Sequence, residues 1–538
     1  MLPENAHTGS HNPDDAPGAH FFPLGLLFCL LLGVVSVSGL LSGGELAGHA
    51  GGEAFGHAWS HWWRGQALPG WPGGTELVLG AGSWPLIDPL PSFFSGLVGL
   101  LAGPAAGYNA WLALSVVLAG AGGWFLAART GGSPWVGAVA LAWAPPFLGS
   151  LGSGLTEDSG LGLSALGLAF LGEPFRKGGW LSGACIGLSA CCGLVLGWLT
   201  GLCALLLGAV LLLGRPGRWR SLAASAAVAA PLAGLAAWPH LSRLEGAGHR
   251  SGELHRLAEP LWRVNPWKNA DLASLATPGR AELADSLVRT HPGYLGILLL
   301  LLALLSPARR WWLPLSAMAA LSLGPSIWWA GEPSGVSNPV YPLLALLPGA
   351  ELLNHHGRAL LLASVALAAL ASSGAARLPW PGLAALLAAA DLAFLSPLSP
   401  RLPTTGPTES PVLLSLAARD LDGYVLPLPA AGPGIAYQKP LWEQRLHGQR
   451  LWLHPNRPGV PGAGSDPVLK WLSGLAFPDP APPPREPVFP PGLSALLVRE
   501  PYSAPVAEAL GPPDDSDGIF SLWRLPRPAL GSPPNSVP

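Results

Sequence analysis

Apolar residues along this chain gather in blocks long enough to cross a bilayer, separated by short polar loops. A spanning helix needs roughly 20 apolar residues, within about 17 to 25. Blocks of that kind are Phe21–Leu41, Ala105–Ala128, Pro134–Leu151, Leu222–His240, Trp311–Ala330, Arg358–Ala375 and Trp380–Leu395. Shorter ones lie at Asp158–Glu173 and Gly293–Ser306. The stretch Gly179–Gly214 is too long for one crossing and predicts a tight helical hairpin. Together these predict about eleven crossings in an all-α membrane domain over residues 21–395.

The loops test that count. Arg129, Arg176 with Lys177, the Arg215–Arg218–Arg220 group, Arg309 with Arg310, and Arg377 all sit in short loops. With an odd number of crossings every one of these falls on the same side. Short loops of the other side, such as Gly152–Thr156, carry no Lys or Arg. That is the positive-inside pattern, which makes the basic loops cytoplasmic. Residues 1–20 are then a cytoplasmic tail; lacking a basic region, they do not make Phe21–Leu41 a cleaved signal. The first large loop (42–104), a second (241–292), the segment Gly331–Gly357 and everything from Ser396 lie outside. Trp59, Trp62, Trp63, Trp262, Trp267, Trp311, Trp312, Trp328 and Trp329 fall near predicted helix ends, where interfacial rings belong.

From about Pro397 the pattern changes to more proline and more charge without another span. Gly423–Pro429, Ser494–Arg499 and Gly518–Leu525 read as strands, with Ala504–Leu510 a short helix. Residues 396–538 are expected to form a small extracytoplasmic α/β domain.

Composition agrees with this division. Half of the 538 residues are hydrophobic and only 11% are charged, against about 25% in soluble domains. Net charge is −2, which gives no electrostatic footing for nucleic acid. All five cysteines (Cys29, Cys185, Cys191, Cys192, Cys203) lie in apolar segments. They read as small buried hydrophobes rather than a disulfide or zinc framework. Abundant Gly, Ala and Pro, with Lys scarce beside Arg, suggest a GC-rich bacterial genome and hence a bacterial cytoplasmic membrane.

Candidate chemistry concentrates in the first outer loop, in GEAFGHAWSHWWRGQ. If helical, it places Glu53, His57 and His61 on one face at i, i+4 and i+8. Three uses are open to such a face: a carboxylate general base toward a hydroxyl, a divalent-metal set, or an interfacial helix whose polar side happens to carry histidines. Ala54, Phe55, Ala58, Trp59 and Trp62 would supply the membrane-facing surface. Further along, Asp88 precedes a proline and so initiates a turn, or faces substrate; Glu76 is a weaker candidate. Glu157 and Asp158 sit at the start of a span, where helix capping accounts for them unless they also meet substrate. Asp391 is an intramembrane carboxylate near a span's outer end, and such groups are functional suspects. Arg358, after His355 and His356, could hold a lipid phosphate or anchor its helix. There is no Walker loop, GxSxG or HExxH.

In their order, several blocks resemble the bacterial multi-pass proteins of the GT-C glycosyltransferase superfamily, in particular the group with a C-terminal extracytoplasmic domain. They are GEAFGHAWSHWW, PGGTELVLGAGSWPLIDPLP followed by GYNAW, GSGLTE, HPGYLGILLLLLALL, LSLGP, YPLLALLPGAELLNHHGRALLLASVALAALASSG and YQKPLWEQRLHGQRL. The resemblance covers nearly the whole chain. It implies transfer of a sugar from a polyprenyl-phosphate donor to an acceptor on the outer face, with an acidic residue of the first outer loop as catalyst. Glu53 stands at that position and His57 where a histidine often follows. The family's acid is usually aspartate, so this chain is one methylene longer there. Arg358 matches the arginine that closes the proline-rich block, and would hold the lipid phosphate. The tail block around His447 and Gly448 matches without a role attached.

The expectation is thus a membrane glycosyltransferase with Glu53 and His57 catalytic and His61, Asp88, Glu157 and Arg358 around the substrate. No cofactor is certain from the sequence; a divalent metal is possible. For efficient base catalysis, burial beside the tryptophans would have to raise the Glu53 pKa. Its partners would be a polyprenyl-phosphate sugar and membrane lipid. The alternatives are a flippase for a lipid-linked sugar, which calls for polar groups at the bilayer midplane, and a non-catalytic scaffold presenting the C-terminal domain.

Overall fold

The computed structural model of the chain describes residues 22–38, 45–49, 52–66, 88–171, 173, 176–247, 270–272, 275, 293–329, 332–347, 353, 355–406, 410–430, 438–453, 460–475, 477 and 482–526. The tail 1–20, Glu76, most of the loop 241–292 with Trp262 and Trp267, and residues 527–538 lie outside the described residues.

Helix α1 (Phe22–Val37) is followed by a short strand β1 (Leu46–Ala47), α2 (Ala54–Gln66) and α3 (Pro89–Ala102). Next come α4 (Pro104–Arg129), α5 (Pro134–Ala142), α6 (Pro145–Gly152), a 3-10 turn at Thr156–Asp158 and α7 (Leu161–Phe170). The predicted hairpin is α8 (Arg176–Cys192) and α9 (Leu194–Gly214), broken at Gly193. After it run α10 (Trp219–Ala247), α11 (Ile297–Leu304), α12 (Trp312–Ser322), α13 (Ala359–Ala375) and α14 (Pro381–Ala390), the last ending in a π turn at Asp391–Leu395. Among the described residues five segments are long and apolar enough to cross a membrane unaided: Pro104–Arg129, Pro134–Gly152, Leu194–Gly214, Pro216–Trp238 and His356–Ala375.

The central element is α13, every residue of which is buried. Its sequence ALLLASVALAALASSGA is dense in Ala, Ser and Gly, and small side chains let helix backbones approach closely where no water is present to drive packing. Helices α4, α5, α7, α11 and α12 surround it. The closest approach is its own, to α11: a methyl added at Gly374 would lie 1.8 Å from the Leu302 carbonyl oxygen, and beside it α4 meets α5 nearly as closely, a methyl at Gly123 lying 2.1 Å from the Gly137 carbonyl oxygen.

Three expected spans differ in the structure. Pro134–Leu151 is two helices, because Ala144 precedes Pro145 and is extended (φ −55°, ψ 120°), as the residue before a proline tends to be. The helix begun near Trp311 stops at Ser322, where Gly324 (φ +67°) and Pro325 form a helix stop. The rest of that block is a hairpin, β2 (Ser326–Trp329) pairing antiparallel with β3 (Glu332–Ser337). In Asp158–Glu173 only Leu161–Phe170 is α-helical. Within the first large loop, α3 is a short apolar helix. It exposes Phe93, Leu97, Leu100 and Leu101, a face suited to the membrane interface though too short to cross.

Past the spans, β4 (Thr404–Thr405) pairs antiparallel with β1, tying the first loop to the chain just after α14. Then come α15 (Pro411–Ala417), β5 (Tyr424–Leu428), α16 (Lys439–His447), β6 (Arg450–Leu451), α17 (Pro467–Gly474), β7 (Leu493–Arg499), α18 (Ser503–Leu510), β8 (Asp515–Ser516) and β9 (Phe520–Arg524). Five of these strands form one mixed sheet in the order β6-β5-β7-β9-β8. Strand β5 is parallel to both neighbours, and β9 is antiparallel to both of its own. Strands β5, β7 and β9 fall on the three segments where sequence pattern placed strands.

Candidate functional site

Helix α2 is where the spacing of Glu53, His57 and His61 predicted it, and the His57 N–H donates to the Glu53 carbonyl at 3.0 Å to begin it. Apart from the half-buried Trp62, its apolar face meets protein. Phe55, Ala58, Trp59 and Trp63 are each at most 1% exposed, buried in protein. The surface that covers them comes from the tail block that had no role. Trp59 Nε1 donates to Gln444 Oε1 at 2.8 Å, Gly56 abuts the Gln438 amide, and the Lys439 ammonium sits 5.7 Å from the Phe55 ring centroid. On the other side the Glu53 N–H donates to the Ser153 carbonyl at 2.6 Å. Gly154 makes that contact possible: its φ is +85° and a Cβ there would lie 2.2 Å from the Ala54 nitrogen.

Asp88 is the hub of the site. It stands just before α3, but α3 begins Pro-Leu-Pro, so the third residue has no N–H to offer a capping side chain. The carboxylate turns instead to α2. Its Oδ2 is 2.8 Å from His61 Nε2 and 3.3 Å from His57 Nδ1, and accepts a hydrogen bond from Thr156 Oγ1. Its Oδ1 accepts from Ser92 Oγ at 3.0 Å. The Thr156 hydroxyl is also 2.8 Å from His57 Nδ1. The opposite nitrogen of His57 is 3.5 Å from Glu53 Oε2. Glu53 is the open member of the cluster: its side chain is 37% exposed, against 7% for His57 and 1% for Asp88.

The 3-10 turn that carries Thr156 also brings in Glu157 and Asp158. Glu157 accepts from the buried Arg358 guanidinium, and Asp158 Oδ2 is 3.6 Å from Arg358 Nε and accepts from Ser150 Oγ at 2.6 Å. Glu157 is thus an ion-pair partner rather than only a helix-end charge, and Arg358 is already neutralised; to take a phosphate it must exchange partners. All six sequence-predicted site residues meet in one cluster. Asp391 does not join it. Its Oδ2 accepts from the Leu298 N–H at 2.8 Å and its Oδ1 from the Tyr294 hydroxyl, so it caps α11.

Four carboxylates (Glu53, Asp88, Glu157, Asp158) face one guanidinium and two imidazoles, and the charges set one another's protonation. Burial alone would push the His57 pKa down, but its bonds to Asp88 and Glu53 and their charges outweigh that and hold it up to about 9. Burial would raise Asp88, yet the His61 charge and the bonds to both histidines hold its carboxyl far below the usual range. For Glu53, burial is likewise outweighed by His57, Arg358 and His355, and its pKa is lowered. The upward shift that efficient base catalysis would call for at Glu53 is thus replaced by a downward one, because the neighbours are cationic rather than merely apolar.

The donor set His57, His61 and Asp88 also suits a divalent cation, since its ligand atoms lie within 4.8 Å of one another and two imidazoles with a carboxylate is a common first-row-metal set. Asp88 here takes the place that spacing alone gave to Glu53. Such an ion would act as a Lewis acid toward an anionic group, and would have to displace the protons now shared among the three side chains.

The residues that sequence reasoning missed act behind these. From GYNAW, Asn109 fixes β1 through Ala47 N–H (2.9 Å) and the Glu45 carbonyl (2.7 Å). Trp111 Nε1 donates to Ser159 Oγ at 2.8 Å, and the Tyr108 ring is 5.7 Å from that of His61. Their place in a quoted sequence block was the only signal.

No family model matches the chain, and neither does any curated protein. Among solved structures it is similar to the oligosaccharyltransferase AglB of Archaeoglobus fulgidus in complex with an inhibitory peptide and a dolichol-phosphate. There the identity is 13%, over 91% of this chain and 71% of that one, with a TM-score of 0.48. It is also similar to the mycobacterial arabinofuranosyltransferase AftD (16%, 89% and 36%, TM-score 0.47). A third is ArnT of Cupriavidus metallidurans bound to undecaprenyl phosphate (15%, 94% and 98%, TM-score 0.40).

Proposed function

We propose that the chain is a membrane glycosyltransferase that moves a sugar from a polyprenyl-phosphate donor to a hydroxyl acceptor at the outer face of a bacterial cytoplasmic membrane. The observation that supports this is convergence. Glu53 just before α2 with His57 within it, Asp88 before α3, Glu157 of the 3-10 turn and Arg358 before α13 come from four separate segments. They meet in a buried polar cluster with one carboxylate left open. Convergent polar groups of perturbed protonation mark functional sites.

In this reading Glu53 accepts the proton of the acceptor hydroxyl. An ionised carboxylate of low pKa is a weak base, but glycosyl transfer passes through an oxocarbenium-like state, and ordinary carboxylates serve as bases there. His57, held protonated between Glu53 and Asp88, keeps Glu53 ionised and oriented. Arg358, released from Glu157, pairs with the phosphate of the donor and leaving group. A flippase would place such groups at the bilayer midplane, whereas these sit at helix ends.

The test is turnover of a panel of polyprenyl-phosphate sugars by purified protein in lipid, read as release of free polyprenyl phosphate, with Glu53→Gln alongside. Wild type is expected to turn over at least one donor, and the variant to lose about 100-fold or more. Equal turnover by both would remove Glu53 from the chemistry. A folded wild type inert toward every donor and acceptor pair tried would favour the scaffold.

A further inference from the structure

Helix α4 runs from the site to a second feature at its other end. Tyr108, beside His61, and Arg129 lie about 30 Å apart along it at 1.5 Å per residue, close to the hydrocarbon thickness of a bilayer. Around Arg129 is a cavity of about 210 Å³ lined by Arg129, Thr130, Glu173, Arg218, Arg310 and Trp311, with leucines of α4, α7 and α9 forming its walls. Three loops far apart in sequence thus bring arginines to one place, on the face opposite the site.

The charge here is unbalanced. Arg129 pairs with Glu173, but among the described residues Arg218 and Arg310 have no acidic partner. Desolvation and the nearby charges of Arg218 and Arg215 hold the Arg310 pKa below its usual value, as expected of crowded cations. Deeper in the same cavity Trp311 is 1% exposed, and among the described residues its buried indole N–H has no hydrogen-bond partner. A buried donor left unsatisfied is costly, so an acceptor there would be stabilising. Below the arginines the outer surface is apolar: Leu205, Leu212 and Leu213 of α9 and Leu304 of α11 are exposed, with Trp219 at the helix end.

We propose that this cavity binds the phosphate of an anionic phospholipid in the leaflet opposite the site, with Arg218 and Arg310 at its mouth and the Trp311 indole as the inner donor. A cationic mouth, a buried donor and adjoining leucines match a phosphodiester headgroup carried on acyl chains, and basic pockets between spans on the cytoplasmic side recruit such headgroups. The volume falls below the roughly 300–1,000 Å³ of pockets that enclose drug-sized ligands, so it accommodates a headgroup and leaves the chains outside. The site is independent of the proposed transferase activity.

The experiment is native mass spectrometry of the full chain released from nanodiscs of phosphatidylcholine with phosphatidylglycerol. Wild type is compared with the Arg218→Gln/Arg310→Gln double variant and with Arg309→Gln, a neighbouring exposed arginine that does not line the cavity. Wild type should retain phosphatidylglycerol over phosphatidylcholine. The double variant should lose that preference by about thirtyfold, at about fivefold per arginine, and Arg309→Gln should keep it. An equal loss in Arg309→Gln would reduce the effect to diffuse surface charge and overturn the site, as would no preference in wild type. A parallel arm titrates inorganic phosphate into lipid-free detergent samples; stabilisation matching that by phosphatidylglycerol would overturn the lipid assignment in favour of free phosphate.

Discussion

Replacing Asp88 by Asn should flatten the dependence of stability on pH between about 6.5 and 9, the range set by the shift at His57. In the wild type His57 is raised from 6.5 to about 9, so the folded state holds a proton there that the unfolded chain has released. The sign follows from that difference. Stability from this group is complete below the unfolded pKa, and declines as pH rises toward and through the folded one. A separation of that size is worth about 3 kcal/mol at 1.36 kcal/mol per unit. Asn keeps the shape and one acceptor but removes the charge opposite His57 and His61, so the His57 pKa should fall back toward its ordinary value. The variant should also be less stable overall, by about 3–5 kcal/mol at neutral pH, because a buried cation has lost its partner. The assay is chemical denaturation in detergent at fixed ionic strength, from pH 6 to 9.5, with His57→Gln as a second variant that should be equally flat. Wild-type stability level across that range, or an unchanged slope in Asp88→Asn, would refute the account of the cluster.

Zinc titrated calorimetrically should bind with release of protons and more tightly at pH 9 than at pH 7, since the His57 proton must leave; His61→Ala should abolish it, and binding indifferent to pH would exclude the His57–His61–Asp88 set. Trp59→Phe should cost about 1 kcal/mol and lower turnover, because it strands the Gln444 acceptor that fixes α2; a double cycle with Gln444→Leu should show coupling, and strict additivity would remove the clamp. Asp391→Leu should destabilise by about 2–4 kcal/mol, leaving the Leu298 N–H and Tyr294 hydroxyl unpaired, with specific turnover of the folded fraction unchanged; turnover lost at full stability would instead make Asp391 functional.

The sequence by itself determined what depends on short-range pattern. Uncharged blocks mark helices because a charge in hydrocarbon is costly, and apolar runs bounded by Gly and Pro placed β5, β7 and β9. Glu53, His57 and His61 were legible as one face because an i, i+4 relation is fixed by helix geometry. Pattern misled where a block held a stop signal inside it, as at Gly324–Pro325, or where burial had two sources, since Phe55, Trp59 and Trp63 look the same facing lipid or protein. Only the tertiary structure decided who meets whom. Asp88 reaches His61 across 27 residues, Thr156 reaches His57 across 99, Arg358 reaches Glu157 across 201, and Gln444 reaches Trp59 across 385. No local periodicity carries such distances; they follow from the packing of α4, α5 and α13, whose small residues set how closely the helices sit. The direction of the Glu53 shift belongs to the same class, because it depends on which charges packing brings beside the carboxylate.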